Sequence, residues 1–487
     1  MSSQFANDCG TGTAKDAIDY SQNWSKNIQF HADTVLFPTS VEEVIQIVQN
    51  PQYTSIKAFG TRHCFNDIAD TAIPQKEKES TLSSVAKKSV HIGMDKMTQI
   101  HIILPPSSDD HDDTHPNQKA LVQFQAGVTF TQLMAAVEEA GFALFNMPSL
   151  PHISVVGGIL TGTHGSGIGH GILATKVFEV QVVHANGTVA TYDNNTPLLH
   201  LGAWGVVVSA TMELEPSYHV AKGIYLDLPY SVFLQHIDEL LGPSSIQAMG
   251  EFTSVFMDWK EPCMSSIWVG KKYDPSTTTL LNRPKLPETL FGGAARQVTP
   301  GTQFHPVPGQ DPVACIATGY GSWTTKVNHF LPNHPPSSAG NEIQAEFFVP
   351  YRHFQAALQA LWDHRHVFAH LVQITELRAM AQDNLPLSQA KHETVVGIHF
   401  TLFKVNANVL NPILAQVEAI LMPFEYKVHW GKWFVARGKQ LQQLYDQEDV
   451  EELRRLIQLH DPQGRFSNRY IQTCLLEDEG PSRSSRL

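Results

Sequence analysis

Glycine is concentrated in one stretch of this chain, where seven of the fifteen residues from Gly157 to Gly171 are glycine. No globular loop needs that density for its turns alone. Glycine lets backbone N–H groups approach a ligand closely, and successive N–H groups form a concave nest for oxyanions. A second glycine-led loop, AFGTRHC, runs from Ala58 to Cys64 behind a short apolar strand. Two such loops far apart in the sequence indicate a long ligand that contains a diphosphate.

Each loop belongs to a segment patterned as an α/β unit. LFPTSVEEVIQIVQN predicts a helix with a capping box of Ser40 and Glu43, and SIKAF predicts the strand before the first loop. ALVQFQAG predicts a strand, and VTFTQLMAAVEEAG predicts a helix that ends at Gly141. After the second loop, KVFEVQVVHANGTVATYD predicts a hairpin with Asn186 and Gly187 at its turn.

Length and charge limit the class of protein. A chain of 487 residues favours two domains. The net charge of -13 argues against nucleic-acid binding. The sequence contains no run of about eighteen apolar residues that would predict a membrane-spanning segment. Its polar N-terminus lacks the pattern of a secretory signal.

Neither cysteines nor acidic clusters predict a metal site. The five cysteines are scattered without a Cys-x-x-Cys pair, which favours neither a disulfide framework nor a cysteine zinc site and is typical of a reducing compartment. The segments PQKEKESTLSSVAKKS and LPPSSDDHDDTHPNQK are interpreted as insertions. The aspartates and histidines of the second are interpreted as a solvated connection, because prolines flank them.

Several familiar motifs are absent from the sequence. No G-x-G-x-x-G opens a helix, no G-x-x-x-x-G-K-[ST] predicts a P-loop, and no H-E-x-x-H predicts a zinc site. HGSGIGHG lacks the G-x-S-x-G spacing of a hydrolase nucleophile. The two glycine loops therefore require another diphosphate ligand.

Together, the two loops resemble the flavin-binding loops of the vanillyl-alcohol oxidase superfamily, which has a PCMH-type FAD-binding domain. The resemblance implies FAD as the cofactor, with His63 bound covalently to the flavin C8α methyl group. A loop histidine that caps a turn is the alternative. The later loop has no cysteine in PSLPHISVVGG, so a single attachment is implied. The resemblance assigns cofactor binding to Ala58, Phe59, Gly60, Thr61, Arg62, His63, Cys64, Ser149, Ser154, Gly157, Thr161, Gly162, Thr163, His164 and Val206.

Within the superfamily, the chain most resembles the alditol oxidases, over most of its length. The matching segments, in order, are NWSKNIQF, GTRHCFNDIADT, PSLPHIS with GTHGSG, TELRAM, IHFT, HWGKWF and DPQGRFSNRY. The resemblance implies that substrate hydroxyls are held by Ser149, Glu376, Arg378, Thr401 and Lys432.

The spacing of these residues permits such a site. Glu376 and Arg378 are two apart, as are His399 and Thr401, so each pair shares a face if its segment is a strand. Taken alone, an acid and an arginine on one face are more often a structural ion pair. A neutral polyol, however, needs a line of donors and acceptors that leaves no buried group unpaired.

The resemblance also implies catalytic roles. We expect Arg378 and Lys432 to stabilise the alkoxide that forms as hydride leaves for the flavin. Glu376 accepts a hydrogen bond from the substrate in this scheme. His399 is expected either to support these residues from behind or to act as the base.

The predicted fold is α+β, in two domains. Residues 1–215, completed by about 435–478 with Asn468, form the PCMH-type FAD-binding domain. Residues 216–434 form a substrate-binding domain, with a large mixed or antiparallel sheet flanked by helices, like the C-terminal domain of D-arabinono-1,4-lactone oxidases. Residues 479–487 are expected to be a flexible tail.

The expected activity is FAD-dependent oxidation of a sugar alcohol such as xylitol or sorbitol to the aldose, with O2 reduced to hydrogen peroxide. One alternative is oxidation or dehydrogenation of D-arabinono-, L-gulono- or L-galactono-1,4-lactone, because those enzymes also carry Glu-x-Arg. A flavin-fold protein that binds a sugar without turnover is the alternative from another class. Neither nucleic acid nor membrane is expected as a partner.

The sequence ends in Ser485, Arg486 and Leu487, which resemble the Ser-Lys-Leu peroxisomal address. This match predicts a peroxisomal location through an import receptor. A cytoplasmic location is the alternative.

Overall fold

A computed structural model describes residues 18–71, 88–104, 119–335 and 340–477 of the chain. Cys9, the Ser485-Arg486-Leu487 tail and almost all of the two predicted insertions lie outside the described residues. The strands, in chain order, are β1 (Thr34–Leu36), β2 (Tyr53–Phe59), β3 (Lys88–Gly93), β4 (Ile100–Ile103), β5 (Leu121–Gln125), β6 (Phe142–Ala143), β7 (Val177–Val183), β8 (Val189–Asp193), β9 (Val206–Glu213), β10 (Glu215–Pro216), β11 (His219–Pro229), β12 (Phe252–Met257), β13 (Cys263–Tyr273), β14 (Thr289–Leu290), β15 (Ala295–Gln297), β16 (Gly319–Ser322), β17 (Glu342–Pro350), β18 (Val372–Met380), β19 (Val395–Phe403) and β20 (Lys427–Val428).

The helices separate these strands. In chain order they are α1 (Val41–Gln49), α2 (Phe130–Glu139), α3 (Val155–Leu160), α4 (Tyr230–Gln235), α5 (Ile237–Leu241), α6 (Ser245–Ala248), α7 (Trp323–Lys326), α8 (Tyr351–Asp363), α9 (Ala407–Leu421), α10 (Gly438–Gln442), α11 (Gln447–His460) and α12 (Arg469–Ile471).

The N-terminal part contains two larger sheets and a two-stranded antiparallel sheet of β6 and β10. A three-stranded parallel sheet has the order β1-β3-β2, and a five-stranded antiparallel sheet has the order β4-β5-β9-β7-β8. The hairpin predicted around Asn186 and Gly187 is β7–β8, and Gly187 has the positive φ of 84° that its turn requires. Both predicted α/β units are therefore confirmed as local structure.

The predicted capping box of α1 forms only in part. Ser40 Oγ accepts from the Glu43 N–H at 3.3 Å. The Glu43 carboxylate, however, accepts from the Thr39 N–H at 2.6 Å and not from that of Ser40. The complete box is at α2, where Thr129 and Gln132 exchange both hydrogen bonds.

The remaining strands build one large antiparallel sheet. Its order is β14-β15-β11-β13-β12-β18-β19-β17-β20, with β16 paired to β11. β18 pairs with β12 and β19, and β19 pairs with β17, so β18 and β19 are hydrogen-bonded on both edges. Side chains on these two strands therefore sit on a rigid support. The expected large sheet of the α+β fold is confirmed.

Helix α9 packs against α8, and α8 in turn packs against β17 and β19 of this sheet. The buried residues of α9 include Leu410, Leu414 and Val417, which follow helical spacing. By length and composition alone, Ala407–Phe424 is apolar enough to cross a membrane, and 28% of that stretch is buried in the protein. Such a stretch is also typical of a helix that packs on a sheet.

The C-terminal segment returns to the N-terminal part. Asn468 Nδ2 donates to the backbone carbonyls of Asp67, Ile68 and Asp70 at 3.2, 3.0 and 2.7 Å. Its Oδ1 also caps α12 by accepting from the Ile471 N–H at 2.9 Å. The predicted division at residues 215 and 435 stays a prediction.

Candidate active site

A cavity of about 600 Å³ lies between the two glycine loops and the large sheet. This volume is typical of a ligand or cofactor site. It brings together residues far apart in the sequence, from the first glycine loop through β18, β19 and the turn after β20. The predicted site residues that line it are Ala58, Phe59, Gly60, Thr61, Arg62, His63, Cys64, Ser149, Ser154, Gly157, Thr161, Thr163, His164, Val206, Glu376, Arg378, His399, Thr401 and Lys432.

Gly162 is the exception, and its predicted role in cofactor binding stays a prediction. It is not among the residues that line the cavity. Its φ is +70°, and a Cβ atom there would lie 2.4 Å from Gln389 Oε1. Close packing against Gln389 therefore requires glycine at this position.

The two glycine loops touch at Gly60. A Cβ atom on Gly60 would lie 2.2 Å from Ser154 Oγ. The Ser154 N–H donates to Thr61 Oγ1 at 3.0 Å. Any larger residue at position 60 would separate the loops, so this glycine provides the close backbone approach that the sequence predicted.

His63 is held in this junction with its ring nitrogens free of hydrogen bonds. The residue is partly buried, but both ring nitrogens are buried, and neither Nδ1 nor Nε2 has a hydrogen-bond partner within the described residues. Burial lowers the pKa of His63 to about 3. The ring is therefore neutral at physiological pH and keeps a nitrogen lone pair, as a nucleophile requires.

An N-terminal strap, residues 19–30, fixes the loop that carries His63. Trp24 stacks on the His63 ring with 4.8 Å between centroids and 20° between planes. The Trp24 N–H donates to the Arg62 carbonyl at 2.9 Å, and Asn23 Nδ2 donates to the Cys64 carbonyl at 2.9 Å. The NWSKNIQF segment thus holds the backbone on both sides of His63.

The turn before β9 also lines the cavity, and the sequence predicted only Val206 from it. Leu201, Gly202 and Gly205 line it beside Val206. Lys57 also lines it, and its Nζ donates to the Gly202 carbonyl at 3.3 Å. Burial lowers the pKa of Lys57 to about 7. The signal for Lys57 was a lone lysine inside the apolar strand SIKAF.

The predicted substrate residues lie on the large sheet as their spacing required. Glu376 and Arg378 are on one face of β18, and His399 on β19 is the direct register partner of Glu376. Arg378 Nη1 donates to Ser149 Oγ at 3.1 Å, which joins the second loop to the sheet. Thr401 lies two residues beyond His399 and also lines the cavity.

Glu376 is ionised but only weakly paired. Burial would raise the pKa of Glu376, but the neighbouring Arg378 and His329 hold it below its usual value. Its Oε1 lies 3.6 Å from Arg378 Nε and 3.7 Å from His329 Nε2, without a hydrogen bond in the described residues. A buried acceptor with no hydrogen bond in the protein is suited to a ligand hydroxyl.

Lys432 completes this wall from the turn after β20. Its Nζ donates to Gln344 Oε1, and burial lowers its pKa from the usual value. The Lys432 carbonyl accepts from Asn66 Nδ2 at 2.8 Å, which ties the turn to the end of the first loop. The Lys432 and Arg378 cations therefore face one cavity.

Sequence reasoning missed the polar face of β17. Glu342, Gln344 and Glu346 all line the cavity, and Glu346 is the register partner of His399. The signal was present in EIQAEFF, where every second residue is polar. The segment contains no motif of known chemistry, so the alternation alone did not single out these residues.

Glu346 is the most connected of these groups. It accepts from His164 Nε2 at 2.9 Å, from His399 Nδ1 at 3.0 Å and from Arg378 Nη2 at 3.3 Å. Burial opposes its ionisation, but the interactions with these three partners hold the pKa of Glu346 well below its usual value.

His164, Glu346 and His429 offer ligand atoms within 4.8 Å of one another, which is the spacing of a metal site. The Arg378 guanidinium already lies 3.3 Å from the Glu346 carboxylate. Lys432 adds a second cation to the electrostatic surroundings of Glu346 and His429. Two fixed cations disfavour a divalent ion here, and no metal role is assigned.

Known protein families match the segments that contain these site residues. The FAD binding domain family matches residues 32–193, and the D-arabinono-1,4-lactone oxidase family matches residues 341–474. The chain is similar to the alditol oxidase of Streptomyces sp., with 32% identity over 93% of this chain and 98% of that protein. It is also similar to L-gulonolactone oxidase of Mus musculus, with 29% identity over 41% of each chain.

Among solved structures, the chain resembles cholesterol oxidase from B. sterolicum, with a TM-score of 0.67 over 93% of this chain and 96% of that one. The sequence identity is 15%, so this likeness concerns the fold alone.

Proposed function

This chain belongs to the family of FAD-dependent alditol oxidases, and we propose that it oxidises a sugar alcohol such as xylitol or sorbitol to the aldose, with release of hydrogen peroxide. The observation that carries the proposal is the wall formed by Glu376, Arg378, Thr401 and Lys432, which faces the same cavity as His63.

The wall suits a chain of neutral hydroxyls. Glu376 accepts hydrogen bonds, Arg378 and Lys432 donate them, and Ser149 and Thr401 do either. A polyol can hydrogen-bond to each of these groups, whereas an apolar substrate would leave the buried Glu376 Oε1 without a hydrogen bond. Each hydroxyl of the substrate therefore contributes to recognition.

The residues at the other end of the cavity fit FAD. The two loops approach each other closely at Gly60, and the His63 ring nitrogens have no hydrogen bonds in the described residues. A bound group can therefore contact the loop backbone and react with a nitrogen of His63. We propose that Ala58 to Cys64, Ser154, Gly157 and Thr161 to His164 hold the cofactor, and that His63 carries it covalently. Bound FAD supplies the two-electron oxidation of the alcohol and the transfer of those electrons to O2.

Residues of the protein promote removal of the proton from the reacting hydroxyl of the substrate. Arg378 and Lys432 lie where a negative charge on the reacting oxygen is stabilised, which lowers the barrier to losing the hydroxyl proton. Burial, together with Lys432, lowers the pKa of His399, so its ring is neutral and accepts that proton. Glu376 holds a neighbouring hydroxyl and orients the chain.

Two measurements on the purified holoenzyme test this proposal. We expect yellow colour to remain with the polypeptide after acid precipitation. We also expect peroxide release from xylitol or sorbitol to exceed that from galactono- or gulonolactone. A protein that releases peroxide from lactones alone would contradict the proposed substrate class.

Lactone oxidation is the second candidate, favoured by the match of residues 341–474 to the D-arabinono-1,4-lactone oxidase family. The same assay separates it from polyol oxidation. A colourless protein that binds a sugar but releases no peroxide would indicate the third candidate, a binding protein without turnover.

A further inference from the structure

We propose that Glu346 is a positioning residue for this oxidation, which keeps the base nitrogen of His399 directed at the substrate and anchors Arg378 beside it. The inference rests on the proposed function, because it concerns the residue that takes the substrate proton. It adds a buried group that acts on the substrate through His399 and Arg378.

The first step concerns the tautomer of His399. An ionised carboxylate only accepts hydrogen bonds, so the 3.0 Å contact between His399 Nδ1 and Glu346 Oε2 requires the proton on Nδ1. The lone pair is then on Nε2. Within the described residues, Nδ1 is the only ring nitrogen of His399 that has a hydrogen bond, and His399 lines the cavity. Nε2 is therefore left to accept a proton from the substrate.

The second step concerns Arg378. Its Nη2 donates to Glu346 Oε1 at 3.3 Å, its Nη1 donates to Ser149 Oγ at 3.1 Å, and its Nε lies 3.6 Å from Glu376 Oε1. The planar guanidinium is thus held by two hydrogen bonds and by a longer ionic contact with Glu376. Loss of the Glu346 charge would release one of them and leave Arg378 free to turn towards Glu376.

The third step concerns the second glycine loop. His164 Nε2 lies 2.9 Å from Glu346 Oε1, and His164 Nδ1 lies 2.8 Å from the Gly165 carbonyl. Both nitrogens therefore face acceptor oxygens. Glu346 therefore joins the loop assigned to the cofactor to the base assigned to the substrate, through one buried carboxylate that is 1% exposed.

Glu346 also affects the charge balance around His399. The titratable and charged groups that act on the His399 ring are Glu346, Glu376, Arg378, Lys432, His329 and His429. The Glu346 carboxylate raises the pKa of His399, against burial and the two cations that lower it. Removing its charge therefore shifts His399 protonation to lower pH.

The test compares Glu346→Gln with the wild-type holoenzyme. We expect kcat/KM for xylitol to fall by about 100-fold to 10,000-fold, the range of a misplaced base. We also expect the acid limb of its pH profile to move to lower pH. Glu346→Asp keeps the charge with a shorter reach, and we expect it to recover part of the rate and the wild-type position of the acid limb.

Glu418→Gln is the matched control. Glu418 is also a buried glutamate, but it accepts from the backbone N–H groups of Val435 and Ala436 and does not line the cavity. We expect its kcat/KM to stay within about twofold of wild type, as for a change away from the chemistry.

A yellow, folded Glu346→Gln enzyme with wild-type kcat/KM and an unmoved acid limb would overturn this inference alone. A wild-type enzyme that releases no peroxide from any polyol would overturn the proposed function and this inference with it. If Glu346→Gln does not fold, 15N-histidine NMR of the wild type decides, with the His399 signal assigned by its loss in His399→Gln. The Nδ1–H tautomer supports the inference, and the Nε2–H tautomer overturns it.

Discussion

His63 and Arg378 show how single residues acquire function from their burial. The sequence placed His63 in a glycine loop, and the structure adds that its ring is neutral, stacked and without hydrogen bonds in the described residues. Arg378 is held by groups from two other segments, Ser149 and Glu346. Each of these arrangements leads to a substitution with a measurable result.

We expect His63→Ala to lose the covalent link while the chain still folds, because the nitrogen nucleophile is removed and only a small cavity is left. The measurement is the visible absorbance of the acid-precipitated protein, which we expect to fall to background. His152→Gln is the control, because both His152 ring nitrogens are also buried without hydrogen bonds in the described residues but do not line the cavity. Colour retained by the His63→Ala pellet would refute the attachment site.

We expect Arg378→Lys to lower kcat/KM for xylitol by about 100-fold, because a lysine keeps the charge but cannot donate to Ser149 and Glu346 together. Steady-state peroxide assays measure the change. Arg352→Lys serves as a control, because Arg352 pairs with Glu393 and Glu425 at the surface. An Arg378→Lys enzyme within twofold of wild type would show that a point charge is sufficient.

At the scale of elements, the alternation of side chains along strands predicted more of the site than any single residue did. The two-residue spacing in TELRAM and IHFT placed Glu376, Arg378, His399 and Thr401 correctly on one face, because strand geometry leaves no other arrangement. The same rule applied to EIQAEFF would have found Glu346. It was missed because the value of a buried carboxylate depends on partners from three other segments, which spacing within one segment does not reveal.

Loops and caps were predicted less well. Gly162 belongs to a glycine run but packs on Gln389, a contact more than two hundred residues away in the chain that local sequence does not encode. The capping box of α1 forms only in part, because the Glu43 carboxylate accepts from the Thr39 N–H and not from the Ser40 N–H. Local sequence patterns therefore predicted the helices and strands. Contacts between distant segments determine the details of the loops.

Asn468 provides a prediction at this scale, because it joins α12 to the N-terminal part. We expect Asn468→Ala to lower the free energy of unfolding by about 3 kcal/mol, since it removes a cap and leaves buried carbonyls unpaired. Urea denaturation measures this change. Asn406→Ala is the control, because Asn406 precedes α9 without a side-chain cap, and we expect a change below about 0.5 kcal/mol. Equal effects of the two substitutions would contradict the assigned role.

At the scale of the whole molecule, buried histidines make stability depend on pH. Burial lowers the pKa of His200 and of His329 to about 3, and that of His91 and of His170 to about 4. Above about pH 6.5, the usual histidine value, these rings are neutral in both folded and unfolded chains. Below it the unfolded chain binds protons that the folded chain excludes, so stability falls as the pH falls towards the folded values.

We therefore expect the free energy of unfolding to decrease steadily between pH 6.5 and pH 4. Asp461 opposes this trend in part, because burial raises its pKa to about 6. Replacing His200 with Gln is expected to reduce the slope by up to about 1.4 kcal/mol per pH unit, the contribution of one proton. Urea unfolding at pH 7.5 and pH 5 gives both values. A slope unchanged by the substitution would mean that His200 titrates normally in the folded chain.

The stacking of Trp24 on His63 gives the protein a built-in optical reporter. An indole whose centroid lies 4.8 Å from the imidazole is within quenching range of any chromophore bonded to that ring. If the cofactor is attached to His63 as proposed, the emission should dim during attachment and should brighten in a variant that remains unattached. The difference in emission between the chain and its Trp24→Phe counterpart would then follow maturation in real time, without substrate and without denaturing the protein.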